Sequence, residues 1–307
     1  MRLSEQPPAL AVADVTRVHG DSVEDHLDEA QASKLAACYR DRHYVIVDDA
    51  VPQTLVEAAH AECQRHEATF EQASVYSSAT NVSVPIPDRR SDRIHWLDLA
   101  ADASAEEGPA WAAVTEAVAV MDSIIRGLRE RLHDELGHVA SRQRPMLSAY
   151  SEGARFERHC DNHCDHDDLG GTGGAADVRG EEAYPVSDAL AAEKERQPSP
   201  AQPGRRKCAN RRRLSAILYL TPEWKASDGG ALRIFKPASD LADPEYDGDD
   251  ALVDVVPMAG RLVLFASDQR CPHEVLPVAA PDRTRYAVAL WYSDTTEFTT
   301  TSEYSDA

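Results

Sequence analysis

The second half of the chain is a succession of short segments rich in β-branched and aromatic residues. They are MLSAY (146 to 150), RRLSAILYL (212 to 220), GALRIFK (230 to 236), ALVDVVP (251 to 257), RLVLFAS (261 to 267) and RYAVALWYS (285 to 293). Gly and Pro turns separate most of them, and such a run predicts an antiparallel sandwich or barrel, because only stacked or closed sheets bury that many strands at once. Before them comes one long amphipathic helix, expected over 112 to 136. There Val114, Val118, Met121, Ile125, Leu128, Leu132 and Leu136 recur at three- and four-residue steps. That apolar stripe has to pack on a large surface, and the outer face of the sheet is the candidate. Further upstream, helices are expected around 27 to 38 and over 54 to 70, with strands at HYVIVDDAV (43 to 51) and RIHWLDL (93 to 99).

The polar residues 1–25 read as a loose arm, 26–294 as the folded domain and 295–307 as a frayed tail. Within the domain, 169–210 reads as an insertion: a GGTGG run, a Pro-rich QPSPAQPG and the basic RRKCANRRR build no core. Residues 74 to 92 read as a second long polar loop. No segment approaches the eighteen apolar residues of a membrane span, and no secretory leader is evident at the N-terminus. We therefore expect a soluble, cytoplasmic monomer, with the basic run leaving room for a nuclear address. With 32 Lys and Arg against 53 Asp and Glu, the net charge of −21 repels nucleic acid and anionic membrane. The six cysteines show no repeating spacing and read as free thiols.

The chemistry concentrates in RHCDNHCDHDD (158 to 168), where His-x-Asp occurs at His159/Asp161, His163/Asp165 and His166/Asp168. One such pair is weak, since a histidine beside acids is commonly just a solvated loop. On a strand end, however, residues two apart project to the same side and offer two ligands from a rigid edge. His159 and Asp161 lie nearest the sheet, whereas the other pairs run into the insertion. A distant histidine, His273 in SDQRCPHEV, would complete a facial triad of the kind that leaves positions open on ferrous iron. In TRYAVALWY, Arg285, Ala287, Ala289 and Trp291 alternate with Tyr286, Val288, Leu290 and Tyr292. An arginine heading a face kept clear by alanines suits a dicarboxylate co-substrate. Arg283 stands two residues earlier as the alternative cation. Cys164, His163, His166 and Cys208 could bind zinc, although their spacing fits no common template.

The blocks RHCDN, ILYLTPEWKASDGGALRIF, LVLFASDQRCPHEV and TRYAVALWY, taken in that order, resemble the 2-oxoglutarate and iron(II) dependent prolyl hydroxylases of the oxygen-sensing kind. The resemblance runs from about residue 43 to 294. It implies a mainly β fold with supporting helices, a double-stranded β-helix of the jelly-roll or cupin-like kind. It also implies His159, Asp161 and His273 as iron ligands, and Arg285 with Tyr219 on the distal carboxylate of 2-oxoglutarate. Tyr150 would face that co-substrate, and Arg212 and Trp291 would meet the substrate. The implied activity is hydroxylation of a proline in a target protein, with Fe(II), 2-oxoglutarate and O2 required and ascorbate in support. This sequence carries Phe156 where many relatives have tyrosine, and Ala289 in place of a small hydroxyl residue. Hydroxylation of a small molecule or of a different residue is the alternative, and a non-catalytic binding module on the same fold is the second.

Overall fold

The computed structural model describes residues 29–77, 82–105, 109–136, 139–162, 164–165, 184–185, 207–208, 212–237 and 251–294. The expected arm, the tail, and most of the insertion, including His163 and His166, lie outside the described residues. In chain order the elements begin with α1 (Glu29–Arg42), β1 (Tyr44–Val47), α2 (Gln53–Arg65), β2 (Glu71–Gln72), β3 (Val75–Ser77), β4 (Val82–Val84) and β5 (Arg93–Trp96). Next come α3 (Leu99–Ala103), α4 (Ala112–Arg131), α5 (His133–Leu136), β6 (Val139–Arg142), β7 (Met146–Tyr150), β8 (Phe156–His159) and β9 (Cys164–Asp165). They are followed by β10 (Tyr184–Pro185), β11 (Lys207–Cys208), β12 (Arg212–Tyr219), β13 (Leu232–Phe235) and β14 (Ala251–Val255). The last are β15 (Leu262–Ala266), β16 (His273–Val275) and β17 (Arg285–Asp294).

Two antiparallel sheets carry the architecture, which is a double-stranded β-helix. The larger runs β1-β15-β12-β17-β7-β5-β2, with β6 and β10 joined at one side, and the smaller runs β14-β13-β16-β8. Period-two alternation divides each central strand between two environments. On one face Leu214, Ala216 and Leu218 of β12, Leu147 and Ala149 of β7, and Val288 and Leu290 of β17 join the apolar core beneath the helices. On the other, Ser215 and Ile217, Met146, Ser148 and Tyr150, Arg285, Ala289 and Trp291, and Ile94 and Trp96 of β5 line a cavity.

Helix α4 buries its predicted stripe, from Val114 through Leu128, against α1, α2 and the sheet. Each such side chain contributes about 1.5–3 kcal/mol when fully removed from water. The helix is shorter than its periodicity predicts. It stops at Leu132, whose ψ of 37 breaks the α path, and α5 follows as a separate short helix while Leu132 and Leu136 stay buried. Burial, rather than helical continuity, is what the heptad-like spacing records here. At the other end of α4, the buried Glu62 carboxylate of α2 accepts hydrogen bonds from the backbone amides of Ala113 (2.9 Å) and Val114 (3.0 Å). An acidic side chain there satisfies orphan N–H groups and complements the helix dipole. Asp122, halfway along α4, accepts from Arg142 Nε (3.0 Å) and from the Tyr292 hydroxyl (2.9 Å), tying helix to sheet. The polar stretch 74 to 92 contains a small hairpin, with Val75 opposite Val84 and Ser77 opposite Val82. The sequence-based expectation was a loop throughout, because strands of three residues are too short to show a period.

Candidate active site

Register assembles the first part of the site. Strands β8 and β16 pair so that His159 and His273 are directly opposite, which puts two residues separated by more than a hundred positions on one face of the smaller sheet. Asp161 follows β8 by two residues. Its Oδ1 lies 3.8 Å from His159 Nε2 and its Oδ2 lies 3.8 Å from His273 Nε2, and the three candidate ligand atoms fall within 4.8 Å of one another. Among the described residues this is the one His/Cys/Asp/Glu group so arranged.

The surroundings fix the donor atoms. Nδ1 of His159 lies 2.8 Å from the carbonyl of Glu157, and Nδ1 of His273 lies 3.0 Å from the carbonyl of Cys271. A carbonyl only accepts, so each ring carries a proton on Nδ1 and turns Nε2 toward Asp161. Burial, and then the facing His273 ring, pull the His159 pKa down to about 3, which keeps that imidazole neutral. Burial acts the other way on Asp161, but His273, His159, Arg212 and the Ser215 hydroxyl together hold its carboxyl at about 2. Ser215 Oγ donates to Asp161 Oδ2 at 2.6 Å and lies 2.9 Å from Ser267 Oγ. Two imidazoles and one ionised carboxylate on one side of a cavity suit ferrous iron. Phe156 stacks on the His159 ring at 3.7 Å, and Phe265 meets His273 edge-on at 4.6 Å. At Phe156 the approach to the triad is therefore an apolar wall, which a tyrosine would have given a hydroxyl.

The cavity, about 290 Å³, extends from this triad to Arg285. Register again sets the neighbours. Arg285 is opposite Tyr150 on β7, and Tyr219 of β12 is opposite Ala287, one inward-facing position along β17. The guanidinium lies 4.8 Å from the centre of each tyrosine ring. Arg285 is 2 % exposed, yet its Nε and the Tyr219 hydroxyl are buried without a hydrogen-bond partner among the described residues. A buried cation and phenol in that condition are expensive unless something occupies the space beside them. A carboxylate would supply the missing acceptors and counter-charge. Gly230 makes room for the arginine: its φ of +67 suits glycine, and a Cβ there would lie 3.0 Å from Arg285 Cδ. Arg283, the alternative cation, is engaged elsewhere. It binds Asp228 at 2.8 Å and the Pro222 carbonyl at 2.7 Å and does not line the cavity.

Arg212 and Trp291 border the same cavity. The guanidinium of Arg212 lies 4.2 Å over the Trp291 ring and its Nε donates to Gln143 Oε1 at 2.9 Å. Three residues not foreseen from the sequence belong to the site: Ser215 and Arg90 line the cavity, and Asp92 lies buried behind Arg90. Ser215 shares the inward face of β12 with Tyr219, so alternation alone could have found it. Arg90 and Asp92 could not have been found that way. They come from DRRSD in the polar stretch, form a double hydrogen bond of 2.8 and 3.0 Å, and place Arg90 over Phe156 at 4.6 Å. Burial first, and then the Asp92 carboxylate, push the Tyr150 phenol far above its ordinary range. Tyr150 therefore stays a neutral donor.

Residues 145–293 match the family model described as the 2OG-Fe(II) oxygenase superfamily. The chain belongs to this superfamily. Its members use iron(II), 2-oxoglutarate and oxygen, and the matched span contains the triad, both cavity tyrosines and Arg285. The hypoxia-inducible factor prolyl hydroxylase of Caenorhabditis elegans is 30% identical over 214 residues, covering 69% of this chain and 21% of that protein. This chain thus spans about a fifth of that relative's length. Among solved structures, a Pseudomonas putida prolyl-4-hydroxylase aligns at 25% identity and a TM-score of 0.54, covering 85% of this chain and 98% of that one. A prolyl hydroxylase from Trichoplax adhaerens, solved with a hypoxia-inducible factor peptide fragment, aligns at 21% identity and a TM-score of 0.57. It covers 87% of this chain and 90% of that chain, and shares the fold.

Proposed function

We propose that this protein hydroxylates a proline in a target protein, consuming 2-oxoglutarate and oxygen and releasing succinate and carbon dioxide. The observation that carries the reading is the arrangement of one cavity: a two-imidazole and carboxylate triad at one end, and at the other a buried Arg285 whose Nε has no hydrogen-bond partner among the described residues. The Pseudomonas putida prolyl-4-hydroxylase, matched over nearly its whole length, supports proline as the reacting residue. The Caenorhabditis elegans relative supports a protein target in oxygen sensing.

In this reading His159, Asp161 and His273 hold the iron, which together with 2-oxoglutarate and oxygen supplies the oxidising chemistry. The Glu157 and Cys271 carbonyls fix the two ring orientations, and Ser215 fixes the carboxylate. Arg285 pairs with the distal carboxylate of 2-oxoglutarate while the Tyr219 hydroxyl donates to it, so the co-substrate's length is measured between the two ends of the cavity. Tyr150 packs along its flank. Phe156, Trp96 and Met146 exclude water from the reacting region. Arg212, stacked on Trp291, would border the bound peptide, and ascorbate would sustain the reduced metal.

The test is direct. Purified protein with iron(II) and 2-oxoglutarate is offered proline-containing peptides and, separately, free small molecules. Mass spectrometry should find a proline gaining one oxygen atom, in step with succinate. Oxygen on a small molecule or on another residue instead would replace the reading with a different hydroxylase of the same superfamily.

A further inference from the structure

Strand β12 turns Ser215 and Ile217 toward the cavity, and strict alternation would turn Arg213 the same way. Arg212 lines the cavity instead, because the register of β12 on β17 shifts between Arg212 and Leu214. A bulge of this kind re-aims a side chain. Three contacts then hold the re-aimed residue. Asn162 Nδ2 donates to its main-chain carbonyl at 2.7 Å, its guanidinium carbon lies 4.2 Å from the centre of the Trp291 ring, and its Nε donates to Gln143 Oε1 at 2.9 Å. Gln143 also grips the strand that carries the indole, since its amide donates to the Trp291 carbonyl at 3.0 Å. Its own carbonyl accepts from Arg142 Nη1 at 3.3 Å, which anchors it to the Asp122 cluster on the helix side.

We propose that Gln143 is a positioning residue for the protein substrate, holding Arg212 on Trp291 before a peptide arrives. The inference rests on the proposed hydroxylation of a protein target, with Arg212 bordering the bound peptide. An arginine side chain has many rotamers, and a complex that must still them loses affinity. Gln143 removes that loss in advance. It gives Nε an acceptor, so the planar fork is fixed along one edge and its terminal N–H groups keep one bearing. The group they meet on the peptide is an acceptor, because a guanidinium only donates. Gln143 does not itself line the cavity. It acts on the peptide through Arg212, and on neither the triad nor the co-substrate.

The experiment compares Gln143→Met, which keeps the length and the main-chain bonds but loses the acceptor, with Gln143→Glu, which keeps the acceptor. The probe is the proline peptide that iron-loaded wild type hydroxylates best. Gln143→Met should raise its KM about three- to tenfold, the ratio set by stilling one long side chain, while kcat stays at the wild-type value. Gln143→Glu should bind the peptide at least as well as wild type. In an Arg212→Ala background the effect of Gln143→Met should vanish, since the two residues act as one unit. Independently of turnover, Nε–Hε correlation spectra of the isotope-labelled full chain, loaded with diamagnetic zinc, should show the Arg212 signal shifting in Gln143→Met and holding in Gln143→Glu. An unchanged KM or an unmoved Arg212 signal in Gln143→Met would overturn the proposal. So would an equal rise in KM for both variants, or a rise that persists in Arg212→Ala. A wild type that hydroxylates no proline peptide overturns the proposed function and the substrate role with it, and is told apart because the Arg212 signal still responds to Gln143→Met.

Discussion

The two faces of the large sheet hold comparable buried polar groups and treat them in opposite ways. On the helix side, Asp122, Arg142 and Tyr292 satisfy one another through hydrogen bonds of 2.9 to 3.0 Å. On the cavity side, Arg285 Nε, Tyr219 Oη and Trp291 Nε1 are equally buried and lack partners among the described residues. The same strands carry both sets, so strand propensity does not explain the difference. The Asp122 cluster is finished by folding, whereas on the proposed reading Arg285 and Tyr219 are completed by a ligand.

The sharpest break of this comparison is at the triad. Alanine at His159, Asp161 or His273 should abolish iron-dependent succinate formation, because each removes one of the three donors grouped there among the described residues. Far-UV circular dichroism of the variants should remain that of the wild type. The next test swaps cations on the two faces. Arg142→Leu strands Asp122 in the core and should cost about 3–5 kcal/mol in urea unfolding. Arg285→Leu removes a cation that has no carboxylate partner among the described residues, and should be neutral or stabilising in the ligand-free protein. Equal destabilisation by both would erase the distinction between the faces.

A subtler effect is expected at Ser215, whose hydroxyl holds Asp161. Ser215→Ala should weaken iron retention roughly tenfold, the scale of losing a hydrogen bond that orients a ligand, as read by competition with a chromogenic chelator. A further effect, on stability rather than activity, concerns pH. Burial, with His273 facing it, depresses His159 from 6.5 to about 3 in the folded protein. Between those values the unfolded chain binds a proton that the folded one refuses. Stability of the metal-free protein should therefore fall as pH drops through 6.5 toward 3, by up to about 1.4 kcal/mol per unit from this group. Asp161 adds a loss with the same sign, confined to the interval between its unfolded value and about 2. His159→Ala should flatten the upper part of that slope in thermal melts from pH 6.5 to 5.

Legibility in the sequence followed the same division. Segments whose two faces differ in polarity announce themselves: MLSAY coincides with β7, and the alternation of RYAVALWYS sorts Arg285, Ala289 and Trp291 onto the cavity face and Tyr286 and Tyr292 onto the helix face. His273 was legible as a histidine beyond an apolar strand, but its pairing with His159 was not, since register between distant strands leaves no local trace. Arg90 and Asp92 were hidden for a related reason. Their role depends on the tertiary contact of Arg90 with Phe156, and DRRSD has the composition of any solvated loop. The break at Leu132 was masked because α5 keeps the same buried positions in use.

The central claim is that the unpaired groups on the cavity face form a site for a dicarboxylate. Calorimetric titration of 2-oxoglutarate into the iron-loaded protein under nitrogen tests it most directly, with wild type, Arg285→Leu and Arg283→Leu compared at one ionic strength. The account predicts saturable binding by wild type and Arg283→Leu, and affinity at least a hundredfold weaker for Arg285→Leu, the ratio corresponding to about 3 kcal/mol for a buried charge left without its partner. Undiminished binding by Arg285→Leu, or a loss confined to Arg283→Leu, would contradict it.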